Sequence, residues 1–160
     1  VITFGKEAKV HTDLAPATES IFTPLEAKGM TPLGGALDIA RELIEDKVKV
    51  PGRAYTPTIV LVSDGLPNDD WEASLDRLLK SERGRKAQRF ALGVGEDADV
   101  AVLKRFLADP DARIYGASDA RQIKSFFRWV TMSIVARSRS VSPNEPEVLD
   151  FKPNDLDELL

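Results

Sequence analysis

The sequence predicts an α/β fold, doubly wound around a mostly parallel sheet with an antiparallel hairpin at its edge. Three observations carry this. The run TIVLV at 58–62 is continuous and β-branched, as expected of a strand covered on both faces. Residues 33–48 set Leu33, Leu37, Ala40, Leu43, Ile44 and Val48 on one helical stripe, with Arg41, Glu42 and Glu45 off it. Beyond residue 58, runs of strand type and helix type alternate, which is the pattern of parallel strands joined by helices.

The elements follow in order. VITFG and AKVHTDL are two short alternating runs separated by a polar turn at Lys6 and Glu7, the pattern of an edge hairpin. An irregular stretch runs to Met30. The amphipathic helix of 33–48 comes next, and then TIVLV, which stops abruptly at Ser63, Asp64 and Gly65. A second helix is expected from Trp71 to Arg83, opened by Asp69 with Glu72 where a capping box places its acid. RFALGVG is the next strand, Val102, Leu103, Phe106 and Leu107 mark a short helix, and ARIYG a short strand. The stripe Ile123, Phe126, Phe127, Val130, Ile134 and Val135 marks a long last helix. The sequence thus divides into a domain over 1–140 and a tail over 141–160. The tail holds six acidic residues against Lys152, a net −5, and is expected to lie outside the core, mobile or docked as an added segment.

With 160 residues, 42% hydrophobic and 30% charged, the chain has the profile of one globular domain able to bury a core. It has no cysteine, which excludes a disulfide framework and favours the cytoplasm. No apolar run approaches the roughly 20 residues that span a bilayer, so no membrane partner is expected. The net charge of −4 leaves the body near neutral once the tail is set aside, and nucleic acid is therefore not an expected partner. The opening VITFG, without methionine and inside an apolar run, reads as the start of a fragment.

In open α/β sheets, ligands bind where loops leave the carboxyl ends of the strands. Two loops of this kind present oxygen donors: Thr31 before the first helix and Asp64 after TIVLV. Hydroxyl and carboxylate suit Mg²⁺, Mn²⁺ or Ca²⁺, whereas zinc more often recruits His or Cys. The single histidine, His11, is in the hairpin.

GMTPLGGAL and LVSDGLPND make residues 1–138 resemble the von Willebrand factor A domain. That family implies a metal ion-dependent adhesion site with three parts: a D-x-S-x-S loop after the first strand, a threonine in a later loop and an aspartate after the fourth strand. Thr31 and Asp64 match the second and third. No D-x-S-x-S occurs in the 160 residues, so the resemblance implies a fold incomplete at its N-terminus and weak metal binding. The opening VITFGKEAKVHTDLAP and the closing FFRWVTMSIVARSRSVS are most similar to the bacterial tellurium-resistance group, where such modules occur with kinase- and phosphatase-like partners. The implied function is non-enzymatic: a cation that holds one coordination position open for a carboxylate of a protein partner, in tellurium resistance or another stress response. On this reading Gly29, Gly34 and Gly35 thin the helix start so that backbone can approach the metal.

Plainer readings compete. Thr31 before Pro32 is also how an ordinary N-cap looks, and Asp64-Gly65 is a common turn. Trp71 and Trp129 read as packing residues. The loop Gly93–Ala98, GVGEDA, fits a dinucleotide fingerprint and offers the alternative of a nucleotide-binding α/β enzyme, but Glu96 and Asp97 would repel a pyrophosphate. A metal-free scaffold is the third option. No nucleophile and base pair can be assigned, so no catalytic residue and no residue for an organic cofactor is named.

Overall fold

The computed structural model describes residues 1–25 and 29–144, and the backbone of 157–159. They form two compact units interleaved along the sequence: Val1–Ala54 with Pro67–Lys86, and Tyr55–Leu66 with Ala87–Leu160.

In the first unit, β1 (Ile2–Phe4) and β2 (Ala8–Val10) pair antiparallel with Thr3 opposite Lys9. Helix α1 (Leu33–Glu45) packs against them and against α2 (Trp71–Lys80), which a 3-10 turn at Gly84–Lys86 follows. The buried faces are Leu33, Ala36 and Leu37 on α1 and Leu75 and Leu78 on α2. Asp38 of α1 ties the two helices together. It accepts from Ser74 Oγ at 2.9 Å and from Arg77 Nε and a terminal nitrogen at 3.1 and 2.7 Å. The hydrogen bonds from Arg77 hold the Asp38 pKa below the usual carboxylate value.

Helix α1 ends at Glu45, three residues before its apolar stripe does. The Asp46 carboxylate accepts from the N–H groups of Val48 and Lys49 at 2.9 and 3.3 Å, a local turn that competes with the next helical turn. Val48, expected on the buried stripe, is 92% exposed.

In the second unit, β3 (Thr58–Ser63), β4 (Gln88–Val94) and β5 (Ile114–Ala117) form a parallel ladder in that order, with Val60 opposite Phe90 and Leu92 opposite Tyr115. Phe90, Leu92, Tyr115 and Ala117 share one face of the sheet. They meet Phe126, Trp129 and Val130 of α4 (Ala120–Arg139), and the Trp129 ring lies 4.9 Å from both Phe90 and Tyr115. Side chains alternate along a strand, so Ala91 and Ile114 point to the other face, and α3 (Val100–Leu107) also lies against β4 and β5. This is a doubly wound α/β arrangement with a parallel three-strand sheet.

Two placements differ from the sequence reading. The β1–β2 hairpin is a two-stranded sheet of its own, and the antiparallel edge of the larger sheet is β6 (Asp157–Leu159), from the expected tail, which pairs with β5. Of the rest of that tail, only 141–144 lies within the described residues. On α4, Phe126 and Val130 are buried as expected, but Phe127, Ile134 and Val135 are exposed. The helix turns Trp129, Ser133 and Arg137 inward instead. Arg137 is drawn in by acceptors at the strand starts: Gln88 Oε1, the Thr56 carbonyl and Thr58 Oγ1, each at 3.0 Å.

Candidate metal-binding loops

A helix N-terminus leaves N–H groups without partners inside the helix, and α1 fills this need from another segment. The Asp69 carboxylate accepts from Gly34 N–H at 2.9 Å and from Gly35 N–H at 3.1 Å. Pro32 holds the N-cap position and supplies no side-chain bond. The capping expected of Thr31 in the plainer reading thus falls to Asp69. Thr31 is half-buried, and its carbonyl accepts from the N–H groups of Leu33 at 2.8 Å and Asn68 at 3.1 Å. That second bond ties the loop before α1 to the segment that carries Asp69.

This changes the role read for Asp69, and the glycines have a packing role here. Asp69 was expected to open α2, but α2 has Asp70 at its N-cap, with no side-chain bond there. A Cβ on Gly34 would lie 3.0 Å from Trp71 Cα and 3.0 Å from the Asp69 carboxylate. On Gly35 it would lie 2.9 Å from the Ala8 Cβ, and Gly29, at φ +98°, sits against the backbone of Gly5 and Lys6. Small side chains at the start of α1 therefore admit the hairpin and the entry to α2. Asp69→Ala is expected to lower unfolding stability by about 1–2 kcal/mol, as for loss of a charged N-cap, with Asp69→Asn in between. Urea unfolding monitored by circular dichroism measures it.

Asp64 belongs to the second unit and follows the last residue of β3. Ser63 is buried, and its Oγ donates to the Gly65 carbonyl at 3.3 Å, closing a short turn with Asp64 exposed at its tip. The position is the carboxyl end of a parallel strand, where loops of this architecture hold ligands. At the carboxyl ends of β4 and β5, Gly95 N–H donates to the Ala117 carbonyl at 2.8 Å. Gly95, at φ +75°, turns the chain toward α3. There the Asp99 carboxylate accepts from Ala101 and Val102 N–H at 2.8 and 3.1 Å. The helix N-terminus that a pyrophosphate would use in the Gly93–Ala98 reading thus already holds a carboxylate of the chain.

The donor chemistry of Thr31 and Asp64 fits a hard divalent cation, but their number falls short. Mg²⁺ takes six oxygens, and these residues offer one hydroxyl and one carboxylate. Among the described residues, no group of three or more His, Cys, Asp or Glu side chains could hold a metal ion. Thr31 and Asp64 lie in different units. Trp129, at 3% exposure, is placed for packing, as read from the sequence, and Trp71 is half-buried. No helix among the described residues is long and apolar enough to cross a membrane.

Two comparisons bear on these loops. The chain is similar to human inter-alpha-trypsin inhibitor heavy chain H6, at 28% identity over 125 residues. The match covers 72% of the chain and 10% of that relative, so the chain spans about a tenth of its length. The family model for the von Willebrand factor type A domain matches residues 1–129, which include the hairpin, the three parallel strands and both loops. On that match, the chain belongs to the von Willebrand factor type A domain family.

Proposed function

We propose that the chain is a non-enzymatic protein-binding module in which Thr31 and Asp64 are two ligands of a metal ion-dependent adhesion site. Domains of this family are commonly protein-interaction modules. The observation that carries the reading is the division of labour at α1: Asp69 caps the helix, so Thr31 is not needed for that task. Asp64 adds an exposed carboxylate at the end of a parallel strand. The bound cation would supply electrostatic attraction for a carboxylate of a protein partner. Thr31 would contribute a neutral oxygen and Asp64 the negative charge, and the remaining protein ligands would come from a D-x-S-x-S loop, absent from these 160 residues.

The setting we propose is a bacterial tellurium-resistance or stress-response system in the cytoplasm, with kinase- or phosphatase-like partners. It rests on the sequence likeness of the opening hairpin and the α4 region.

Calorimetry tests the site. The chain alone should bind Mg²⁺ or Mn²⁺ weakly, and a version joined to an upstream D-x-S-x-S segment should bind tightly. Asp64→Ala in the joined version should then weaken binding by more than about tenfold, since loss of a supporting group alone already costs about 10–100-fold at metal sites. Undiminished binding after Asp64→Ala would place the cation elsewhere, and no binding in the joined version would leave a metal-free scaffold.

A further inference from the structure

The outer edge of β5 carries a partner that the domain reading does not use. Asp157–Leu159 pairs with it antiparallel: Ile114 faces Leu159, Tyr115 faces Glu158 and Gly116 faces Asp157. The Ala117 carbonyl is taken by Gly95 N–H, so the backbone groups of Ala117 and Tyr115 point toward β4. Alternation along the strand turns those of Ile114 and Gly116 outward. The pairs Ile114–Leu159 and Gly116–Asp157 are therefore the doubly hydrogen-bonded ones. Three residues make a short strand, and short strands pair weakly.

Charge favours an acidic occupant. Helix α4 packs over β5 through Phe126 and Trp129 on Tyr115. It exposes Arg121, Lys124 and Arg128 and has no acidic residue in its 20 positions. The segment 141–160, which supplies β6, has a net charge of −5.

We propose that the β5 edge is a docking site for an extended acidic, leucine-containing segment of a protein partner. Such a segment adds as an antiparallel strand, and the chain's own Asp157–Leu159 holds the place until displaced. An unpaired strand edge is a template for added strands, and peptide recognition by strand addition draws its affinity from these main-chain bonds. This edge shares no residue with the proposed metal ligands, and its test needs no metal.

The test uses the full chain, an Asp157→Pro/Leu159→Pro double variant and a Glu158→Pro variant. A fluorescent peptide of residues 150–160 is the probe. Proline removes the N–H groups that Asp157 and Leu159 direct at β5. At 158 the lost N–H points away from β5, where an edge strand tolerates proline. The double variant should bind the peptide at least about tenfold more tightly than the full chain, because a tethered segment competes at an effective concentration on the order of millimolar. In hydrogen exchange, the Ile114 and Gly116 amides should open by about tenfold in the double variant, close again when the peptide is added and stay protected in Glu158→Pro. Continued protection of Phe90 and Leu92 amides shows that each variant is folded. The proposal is overturned if the folded double variant fails to bind the peptide, or if its Ile114 and Gly116 amides exchange no faster than in the full chain. It is also overturned if protection in the full chain vanishes on dilution, which would assign the pairing to a second copy.

Discussion

Arg137→Ala is expected to lower unfolding stability by about 3 kcal/mol. Arg137 is 6% exposed, and its guanidinium donates to three neutral acceptors, two beside the start of β3 and one on the first residue of β4. Burial depresses its pKa, the direction expected when a cation leaves water, and no carboxylate pairs with it among the described residues. Truncation strands Gln88 Oε1, the Thr56 carbonyl and Thr58 Oγ1 under α4. A fully buried acceptor left without a partner costs about 1–3 kcal/mol, and water reaching these part-buried acceptors offsets part of that. Arg137→Met separates packing from hydrogen bonding, because it keeps an apolar stem and restores none of the donors. It should recover less than about 1 kcal/mol of the loss. Urea midpoints for the three proteins decide the point, and a loss below about 1 kcal/mol for Arg137→Ala would mean that the network contributes little.

Gly84→Ala is expected to be comparably severe. A Cβ at this position would run into the Leu78 carbonyl oxygen, and it would lie 2.5 Å from Ser81 Oγ and 2.9 Å from Leu78 Cδ1. The first obstacle is backbone, so the turn itself must move. Moving it disturbs the Gly84 N–H, which is shared between Ser81 Oγ at 3.1 Å and Glu45 Oε1 at 3.3 Å. It also disturbs the Arg83 N–H, which donates to the same Glu45 oxygen at 2.6 Å. Burial opposes the charge on Glu45, but these N–H groups and the Ser81 hydroxyl outweigh it and hold its pKa below the usual value. Overpacking of about 1–3 kcal/mol and the weakened carboxylate bonds together predict a loss of about 3 kcal/mol, or a fall in Tm of roughly 6–12 °C. Scanning calorimetry checks it, and an unchanged Tm would show that the turn yields freely.

The parts of the fold that sequence made legible are those set by local pattern. TIVLV reads as a covered strand because five apolar or β-branched residues in a row leave no polar face. Helix α3 reads correctly because its apolar stripe, Val102, Leu103, Phe106 and Leu107, is local. What stayed hidden depends on partners distant in sequence. Asp69 reads as the cap of the helix beside it, yet its acceptors serve N–H groups 34 and 35 positions earlier. Arg137 looks like one more base on a basic helix, and its partners lie 49, 79 and 81 positions away. The early end of α1 was obscured for a different reason: a single side chain, Asp46, outcompeted the helical period. For the candidate site, loop position and oxygen chemistry picked out Thr31 and Asp64, and family likeness raised them above the plainer readings, because a threonine before proline and an aspartate before glycine carry little information alone.

The interleaving of the two units sets an order in time. During synthesis, Leu33 and Leu37 of α1 emerge well before Leu75 and Leu78 of α2, the helix they pack against, and Leu37 leads Leu75 by 38 residues. At about 5–20 residues per second, the apolar face of α1 waits roughly 2–8 s for that cover. The Asp69 that caps α1 arrives in the same late stretch. A nascent chain halted between residues 45 and 68 thus carries an amphipathic helix without its cap or its α2 companion, an interval in which its apolar face is open to chaperones and to aggregation.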